Sequence, residues 1–98
     1  MANESSYILA MDYLCTHPLI ERLVKPYYNR ECETVRFRDI NYGVLSGGEK
    51  AALSWAYGIW TNEMPPKGWR DPFEGFGVMS EDLQKIIIEA MALRNGLR

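Results

Sequence analysis

Apolar residues recur every three to four positions along most of this chain, which is the spacing of an α-helix with one buried face. The first such segment runs from about Ser6 to Cys15, and the second begins at Pro18, a residue suited to the first turn of a helix. Pro26 is expected to end or kink the second helix, because proline lacks an N–H and crowds the carbonyl four residues back. The pattern predicts two short amphipathic helices in this part of the chain.

A third helix is predicted from about Gly47 to Asn62, and its apolar residues cover nearly the whole circumference. These residues are Ala51, Ala52, Leu53, Trp55, Ala56, Tyr57, Ile59 and Trp60. Ser46 and Glu49 form a capping-box pattern at its start, in which each side chain accepts a hydrogen bond from the backbone amide of the other. A helix that is apolar all round lies either at the centre of the fold or against a partner.

The last predicted helix follows Ser80, and acidic residues in its first turn complement the positive end of the helix dipole. Its buried stripe consists of Leu83, Ile86, Ile87, Ala90 and Leu93. Ile88 and Met91 fall off this stripe, so the apolar face is wider than a monomer requires. A homodimer or a contact with another protein is one interpretation, and burial beneath the preceding loop is the other.

Two segments depart from the helical pattern. From Thr34 to Arg38 the residues alternate with period two, as in a short half-buried strand, and the stretch from Phe73 to Met79 is the candidate partner. An extended connector across the helices is the alternative. From Asn62 to Met79, prolines and glycines interrupt any regular element. The predicted fold is therefore mainly α: a compact bundle of about four helices, with a long loop rich in proline, glycine and aromatic residues and a minor pair of short strands.

The long loop carries aromatic and basic residues of the types over-represented among binding hot spots. Five of them are predicted to contact a protein partner: Lys67, Trp69, Arg70, Phe73 and Phe76. The alternative is that the rings fold back as a lid on the helical core. Either use would explain why a compact domain keeps so long a stretch without regular structure.

Composition agrees with one domain spanning residues 1–98, because 47% apolar and 12% aromatic residues can fill a core. The 13 acidic and 11 basic side chains are interspersed, and the net charge of -2 disfavours nucleic acid as a partner. No apolar run approaches the length of a membrane span, and the N-terminal residues lack the basic region of an export signal. We expect a cytoplasmic protein without membrane contact, with Cys15 and Cys32 reduced.

One cluster of basic residues supports an alternative function in nucleic-acid binding. It consists of Lys25, Arg30, Arg36 and Arg38, with Tyr27, Tyr28 and Tyr42 nearby in the sequence. Aromatic rings among cations can stack with single-stranded bases. Acidic residues interrupt the cluster, so a network of surface salt bridges is the competing interpretation.

Residues that could support catalysis are few. His17 is the single histidine, and one histidine with two cysteines cannot complete a structural zinc site. Cys15 and His17 are two residues apart and point to different sides of a helix, so they do not form a nucleophile–base pair. We therefore predict no catalytic residue, no metal and no cofactor, and a protein that is not an enzyme.

The peptide from Leu45 to Lys50, Leu-Ser-Gly-Gly-Glu-Lys, resembles the signature peptide of ABC-type ATPases. The resemblance implies a serine hydroxyl, glycine amides and a helix N-terminus presented to a γ-phosphate bound on a second subunit. No G-x-x-x-x-G-K-[ST] sequence occurs in the chain, so the nucleotide would have to be held elsewhere. A plain helix start is the structural interpretation, and a contribution to a nucleotide-binding complex is a third candidate function.

The run from Leu45 through Trp60, followed by a loop and a second short amphipathic helix, resembles small uncharacterised helical proteins carried by phages and mobile elements. The resemblance covers about half of the chain and implies no catalytic residue. It implies an accessory role, such as a regulator or inhibitor of a host protein, for example a defence component. With the absence of candidate chemistry, it predicts a small protein–protein interaction module.

Overall fold

Five α-helices and one pair of two-residue strands make up the structure, a computed structural model that describes residues 5–97. The helices are α1 (Ser6–Leu14), α2 (Pro18–Val24), α3 (Gly47–Thr61), α4 (Pro72–Phe76) and α5 (Glu81–Arg94). The strands are β1 (Tyr28–Asn29) and β2 (Thr34–Val35), and short 3₁₀ turns occupy Lys25–Tyr27, Phe37–Asp39 and Tyr42–Val44. The prediction of a mainly α bundle with a minor pair of strands is confirmed.

Helix α3 lies at the centre of the fold, in contact with α1, α2, α4 and α5. Every residue from Ala51 to Ala56 is buried. Because consecutive residues of a helix point in all directions around its axis, burying such a run requires neighbours on all sides. For this part of α3, the interpretation as a central helix is therefore confirmed.

Helix α1 packs along α5, and both turn an apolar face toward α3. The buried side chains of α1 are Ile8, Ala10, Met11 and Leu14, and those of α5 are Leu83, Ile87 and Ala90. Ile88 and Met91 stay exposed on α5, so the interpretation that the preceding loop buries them is wrong. Within residues 5–97, no helix combines the length and the apolar character that crossing a bilayer demands.

The two proline-based predictions for α2 are confirmed. Pro18 occupies the first turn of α2, and the helix gives way to the 3₁₀ turn Lys25–Tyr27 around Pro26. Proline cannot donate the hydrogen bond that would continue the α-helical pattern, which explains why the turn tightens there.

The predicted pairing of the strand near Thr34 with the stretch from Phe73 to Met79 is wrong. Instead β2 pairs with β1 in an antiparallel ladder, with Tyr28 opposite Val35 and Asn29 opposite Thr34. The connection between these strands is short, so closing it costs less chain entropy than a pairing with a distant segment. Glu33 takes the left-handed conformation (φ 55°) at the end of this connection.

The stretch from Phe73 onward begins within α4 rather than in a strand. Asp71 caps this helix, because its Oδ1 accepts hydrogen bonds from the amides of Phe73 and Glu74. Pro72 follows at the first helical position, where its fixed φ suits a helix start. The signals for a helix start were present in the sequence, but the surrounding glycines obscured them.

Candidate functional site

Three of the five predicted contact residues in the loop pack against the rest of the protein. The Trp69 ring stacks on Tyr42, with ring centroids 4.6 Å apart and planes 6° from parallel, and its edge meets Tyr57. The Arg70 amide donates a hydrogen bond to the Tyr42 hydroxyl. This part of the loop forms a lid over α3, as the alternative interpretation predicted.

Arg70 and Phe76 tie the same loop to α3 and α5. Arg70 Nη1 donates to the carbonyl oxygen of Gly47 at 3.4 Å, and its Nε is buried without a partner among the described residues. The half-buried Phe76 ring meets Trp55 edge-on at 5.6 Å, while its carbonyl accepts a hydrogen bond from Gln84 Nε2. Both residues therefore hold the loop in place.

Phe73 and Lys67 are the two predicted contact residues that the fold leaves exposed. The Phe73 side chain is 70% exposed, although one edge of its ring meets Trp55 at a centroid distance of 5.2 Å. A large apolar ring so open to water gains little from folding alone. Its use in partner binding stays a prediction.

A pocket of about 300 Å³ opens beside Phe73, between α3, α4 and the end of α5. We call it the α3–α4–α5 pocket. Seven apolar residues line it: Trp55, Ile59, Met64, Pro65, Pro72, Phe73 and Met91. The charged residues in its lining, Glu63 and Arg94, have opposite signs. Arg94 is held in place because its Nε donates to the Ile59 carbonyl oxygen at 2.9 Å.

Two small residues of α3, Ser54 and Gly58, also line this pocket. They are one helical turn apart and so lie on the same face of α3. The Ser54 side chain is fully buried, and its Oγ has no hydrogen-bond partner in the described part of the chain. Sequence reasoning missed both residues, although a serine within a helix that is apolar on all sides was a usable signal.

The exposed apolar residues around this pocket form what we call the pocket-side face, defined as Met64, Phe73, Ile88 and Met91. Their exposed fractions are 63%, 70%, 56% and 38% in that order. Met64, Phe73 and Met91 line the pocket itself, and Ile88 lies one helical turn before Met91 on α5. These residues bring three separate parts of the chain to one side of the molecule.

The basic cluster proposed for nucleic acid is largely neutralised by acidic neighbours. The ion pairs are Lys25 with Glu21 at 3.4 Å, Arg30 with Asp12 at 2.9 Å and Arg36 with Asp39 at 3.1 Å. Arg36 also lies over the Tyr27 ring. Arg38 is exposed and makes no ion pair within residues 5–97. The arrangement matches the salt-bridge interpretation of this cluster.

The peptide that resembles the ABC signature forms the capping box predicted for α3. Ser46 Oγ accepts from the Glu49 amide at 3.2 Å, and Glu49 Oε1 accepts from the Ser46 amide at 2.8 Å. Arg22 Nη1 adds an ion pair to Glu49 at 2.8 Å. The Ser46 amide and then Arg22 hold the pKa of the Glu49 carboxyl below its ordinary value. The Glu49 carboxylate therefore occupies the Ser46 amide, and a contribution of this peptide to a nucleotide-binding complex stays a prediction.

His17 and Cys15 have separate structural roles. His17 Nδ1 accepts from the Leu19 amide at 3.2 Å, so its Nε2 carries the proton and faces Asp82 Oδ2 at 3.1 Å. Burial, followed by the nearby Asp12 charge, raises the pKa of the Cys15 thiol to about 11. Among the described residues, no cluster of three or more His, Cys, Asp or Glu side chains could hold a metal ion.

No protein-family model, curated protein or solved structure matches this chain. Its exposed surface and its pockets are therefore the observations on which a functional proposal can be built. The pocket-side face is the part of that surface where several large apolar side chains meet an open pocket.

Proposed function

We propose that this chain acts by binding another protein through its pocket-side face. The observation that carries the proposal is that the exposed residues Met64, Phe73 and Met91 line an open apolar pocket, with exposed Ile88 one helical turn from Met91. Exposed apolar groups that are contiguous and rimmed by polar residues are typical of interaction surfaces. Two of the four are methionines, whose flexible side chains adapt to the shape of a partner.

We expect Phe73, rather than the whole loop, to contribute most of the free energy of binding. Trp69, Arg70 and Phe76 already contact Tyr42, Gly47 and Trp55, so replacing them would disturb the fold. Phe73 can be truncated with little loss of packing, and Lys67 lies exposed in the same loop as an additional contact. Because Lys25, Arg30 and Arg36 are ion-paired, no observation favours nucleic acid over protein.

The resemblance to small phage and mobile-element proteins supports an accessory role for the complex. In that role the partner is a host protein, for example a defence component, whose activity is regulated or inhibited when the pocket-side face covers part of its surface. This mode of action needs neither a catalytic residue nor a cofactor in this chain. A homodimer through Ile88 and Met91 would use the same face.

The test is affinity capture from the native host with the wild-type chain and two variants. The double variant Phe73→Ala with Met91→Ala removes the centre of the pocket-side face and should weaken capture of the same protein at least about tenfold. Val44→Ala is the matched control, because Val44 is 74% exposed and lies outside this face. Far-UV circular dichroism confirms that both variants keep their helices.

Equal capture by all three chains would refute the proposal. Light scattering of the purified chain provides the second readout, because a homodimer through this face would dissociate in the double variant and persist in Val44→Ala.

A further inference from the structure

We propose that the α3–α4–α5 pocket receives a tyrosine side chain of the bound protein, with its phenol hydroxyl hydrogen-bonded to Ser54. The inference rests on the proposed function and specifies the chemistry of the partner's anchoring residue. Four properties of the pocket support it: its size, its unsatisfied hydroxyl, its charge balance and the exposed residues at its mouth.

The size of the pocket suits one aromatic side chain. Its volume of about 300 Å³ lies at the lower limit for small-molecule sites. A single aromatic ring fits within this volume. The apolar walls formed by Trp55, Ile59 and Pro72 match the body of an aromatic ring.

The hydroxyl of Ser54, which has no hydrogen-bond partner among the described residues, is the reason to expect a polar group at the tip of that ring. A hydroxyl has one donor and two acceptor sites, and a serine inside a helix normally satisfies them through the carbonyl four residues back or through water. Ser54 Oγ has no partner within residues 5–97, although its side chain is fully buried. A phenol hydroxyl can both donate and accept, so it complements Ser54 whichever way the serine proton points.

Because Ser54 is fully buried, side chains around the pocket must shift before a ligand reaches its hydroxyl. Met64 and Met91 line the mouth, and an unbranched thioether side chain changes rotamer at low cost. Gly58, one turn along α3 on the same face as Ser54, adds no side chain to the lining of the pocket.

The charges at the pocket favour a neutral anchor. Glu63 and Arg94 contribute one charge of each sign, and Arg94 also lies over the Tyr7 ring and donates to Ile59. A carboxylate or an ammonium group placed against Ser54 would lose its hydration at a buried, neutral hydroxyl. The phenol of tyrosine is uncharged, so its burial does not remove the hydration of an ionic group.

The exposed rim favours a protein over a free phenol as the source of the ring. Phe73 and Met64 are 70% and 63% exposed, and both would remain in contact with water if only a small molecule occupied the pocket. A polypeptide that carries the tyrosine would cover both side chains as well. The rim and the pocket thus fit one protein partner.

The proposal is tested by titrating the ¹⁵N-labelled full chain with N-acetyl-tyrosinamide, N-acetyl-phenylalaninamide, N-acetyl-tryptophanamide and p-cresol. We expect millimolar binding of the tyrosine compound, with shifts of the Ser54, Gly58 and Ile59 amide signals. The tyrosine compound should bind about fivefold more tightly than the phenylalanine compound, as one added hydrogen bond implies.

Three variants assign the effect to the pocket. Ser54→Ala should make the tyrosine and phenylalanine compounds bind equally, whereas Ser80→Ala, a serine outside the pocket, should keep the fivefold difference. Gly58→Ala should weaken both at least about tenfold by filling the pocket. A Cβ at Gly58 would lie 3.5 Å from the Glu63 carbonyl oxygen, an ordinary contact, so the fold tolerates this change.

Several outcomes would overturn the proposal. They are equal or tighter binding of the phenylalanine or tryptophan compound, the absence of shifts in α3 at millimolar concentration, and p-cresol binding without binding of the tyrosine compound. If these occur while Phe73→Ala with Met91→Ala still abolishes partner capture, only the tyrosine anchor fails. If the chain discriminates tyrosine but captures a protein independently of Phe73 and Met91, the proposed function fails.

Discussion

At the scale of single residues, Gly75 decides how closely α4 approaches α3. A Cβ placed on Gly75 would lie 2.5 Å from the Cβ of Ala51, a separation that real side chains do not adopt. Arg70 Nε would lie 3.4 Å from the same Cβ. The absence of a side chain at this position lets α4 rest on α3, and the position of α4 in turn places Phe73 at the mouth of the pocket.

We therefore predict that Gly75→Ala destabilises the protein by about 1–3 kcal/mol, the typical cost of overpacking a core. Alanine has the higher helix propensity, so the loss must come from the clash with Ala51. Urea unfolding followed by circular dichroism measures the change. Gly77→Ala is the control, because no atom lies within 4 Å of a Cβ there. Equal effects of both substitutions would contradict the role of close packing.

At the scale of helices, the starts of α3 and α5 use the same N-cap residue type in different ways. Ser46 at the start of α3 completes a capping box with Glu49. Ser80 at the start of α5 makes no side-chain hydrogen bond to a backbone amide of the first turn. The Glu49 amide in the first turn of α3 is thus satisfied by a side chain, whereas the Ser80 side chain interacts with Asp82, two residues later.

Because Ser46 satisfies an otherwise unpaired amide, Ser46→Ala should lower the free energy of unfolding by about 1 kcal/mol. Ser80→Ala removes no such capping bond and should have a smaller effect. Both variants are compared with the wild-type chain by thermal and urea unfolding at neutral pH. A loss from Ser80→Ala as large as that from Ser46→Ala would show that the capping box contributes nothing of its own.

At the scale of the whole molecule, an ion pair and a side-chain hydrogen bond join helices that are distant in sequence. Arg22 to Glu49 connects α2 with α3, and His17 to Asp82 connects α2 with α5. Ser80 and then His17 lower the pKa of the Asp82 carboxyl, just as Ser46 and Arg22 lower that of Glu49. Several other pairs link residues three or four apart on the surface and contribute little.

The lowered pKa of Glu49 makes stability depend on pH in a definite direction. The folded state stabilises the charged carboxylate of Glu49. The contribution of this carboxylate to the free energy of unfolding is therefore complete above the ordinary pKa of 4.5 and is lost as pH falls through the lower pKa of the folded state. We expect Glu49→Gln to have a lower free energy of unfolding than wild type at neutral pH. At a pH below the folded pKa of Glu49, the two free energies should become similar. Urea titrations at a series of pH values measure the difference.

Glu74→Gln is the control for the urea titrations at different pH values. Glu74 is exposed and has no ion pair in the described part of the chain. It should follow the wild-type curve at every pH. A constant difference between Glu49→Gln and wild type down to strong acid would contradict the assigned cause.

The amino-acid sequence by itself determined the elements that depend on neighbours within one or two turns. The capping box of Ser46 and Glu49, the break at Pro26 and the positions of Ile88 and Met91 off the buried stripe of α5 were all predicted correctly. Each depends on helical periodicity or on a hydrogen bond between residues at most four apart. Such interactions can be recognised before the fold is known.

Only the tertiary structure decided which distant residues meet. In the structure Thr34 pairs with Asn29 and not with the stretch from Phe73 to Met79. Trp69 packs on Tyr42, whereas Phe73 stays exposed beside the pocket that Ser54 lines. Within one loop, Trp69 and Phe73 are both aromatic residues near a proline, and their local sequence does not distinguish a lid from a binding surface. Their burial depends on how closely α4 and α5 approach α3, which is set by packing between side chains far apart in the sequence.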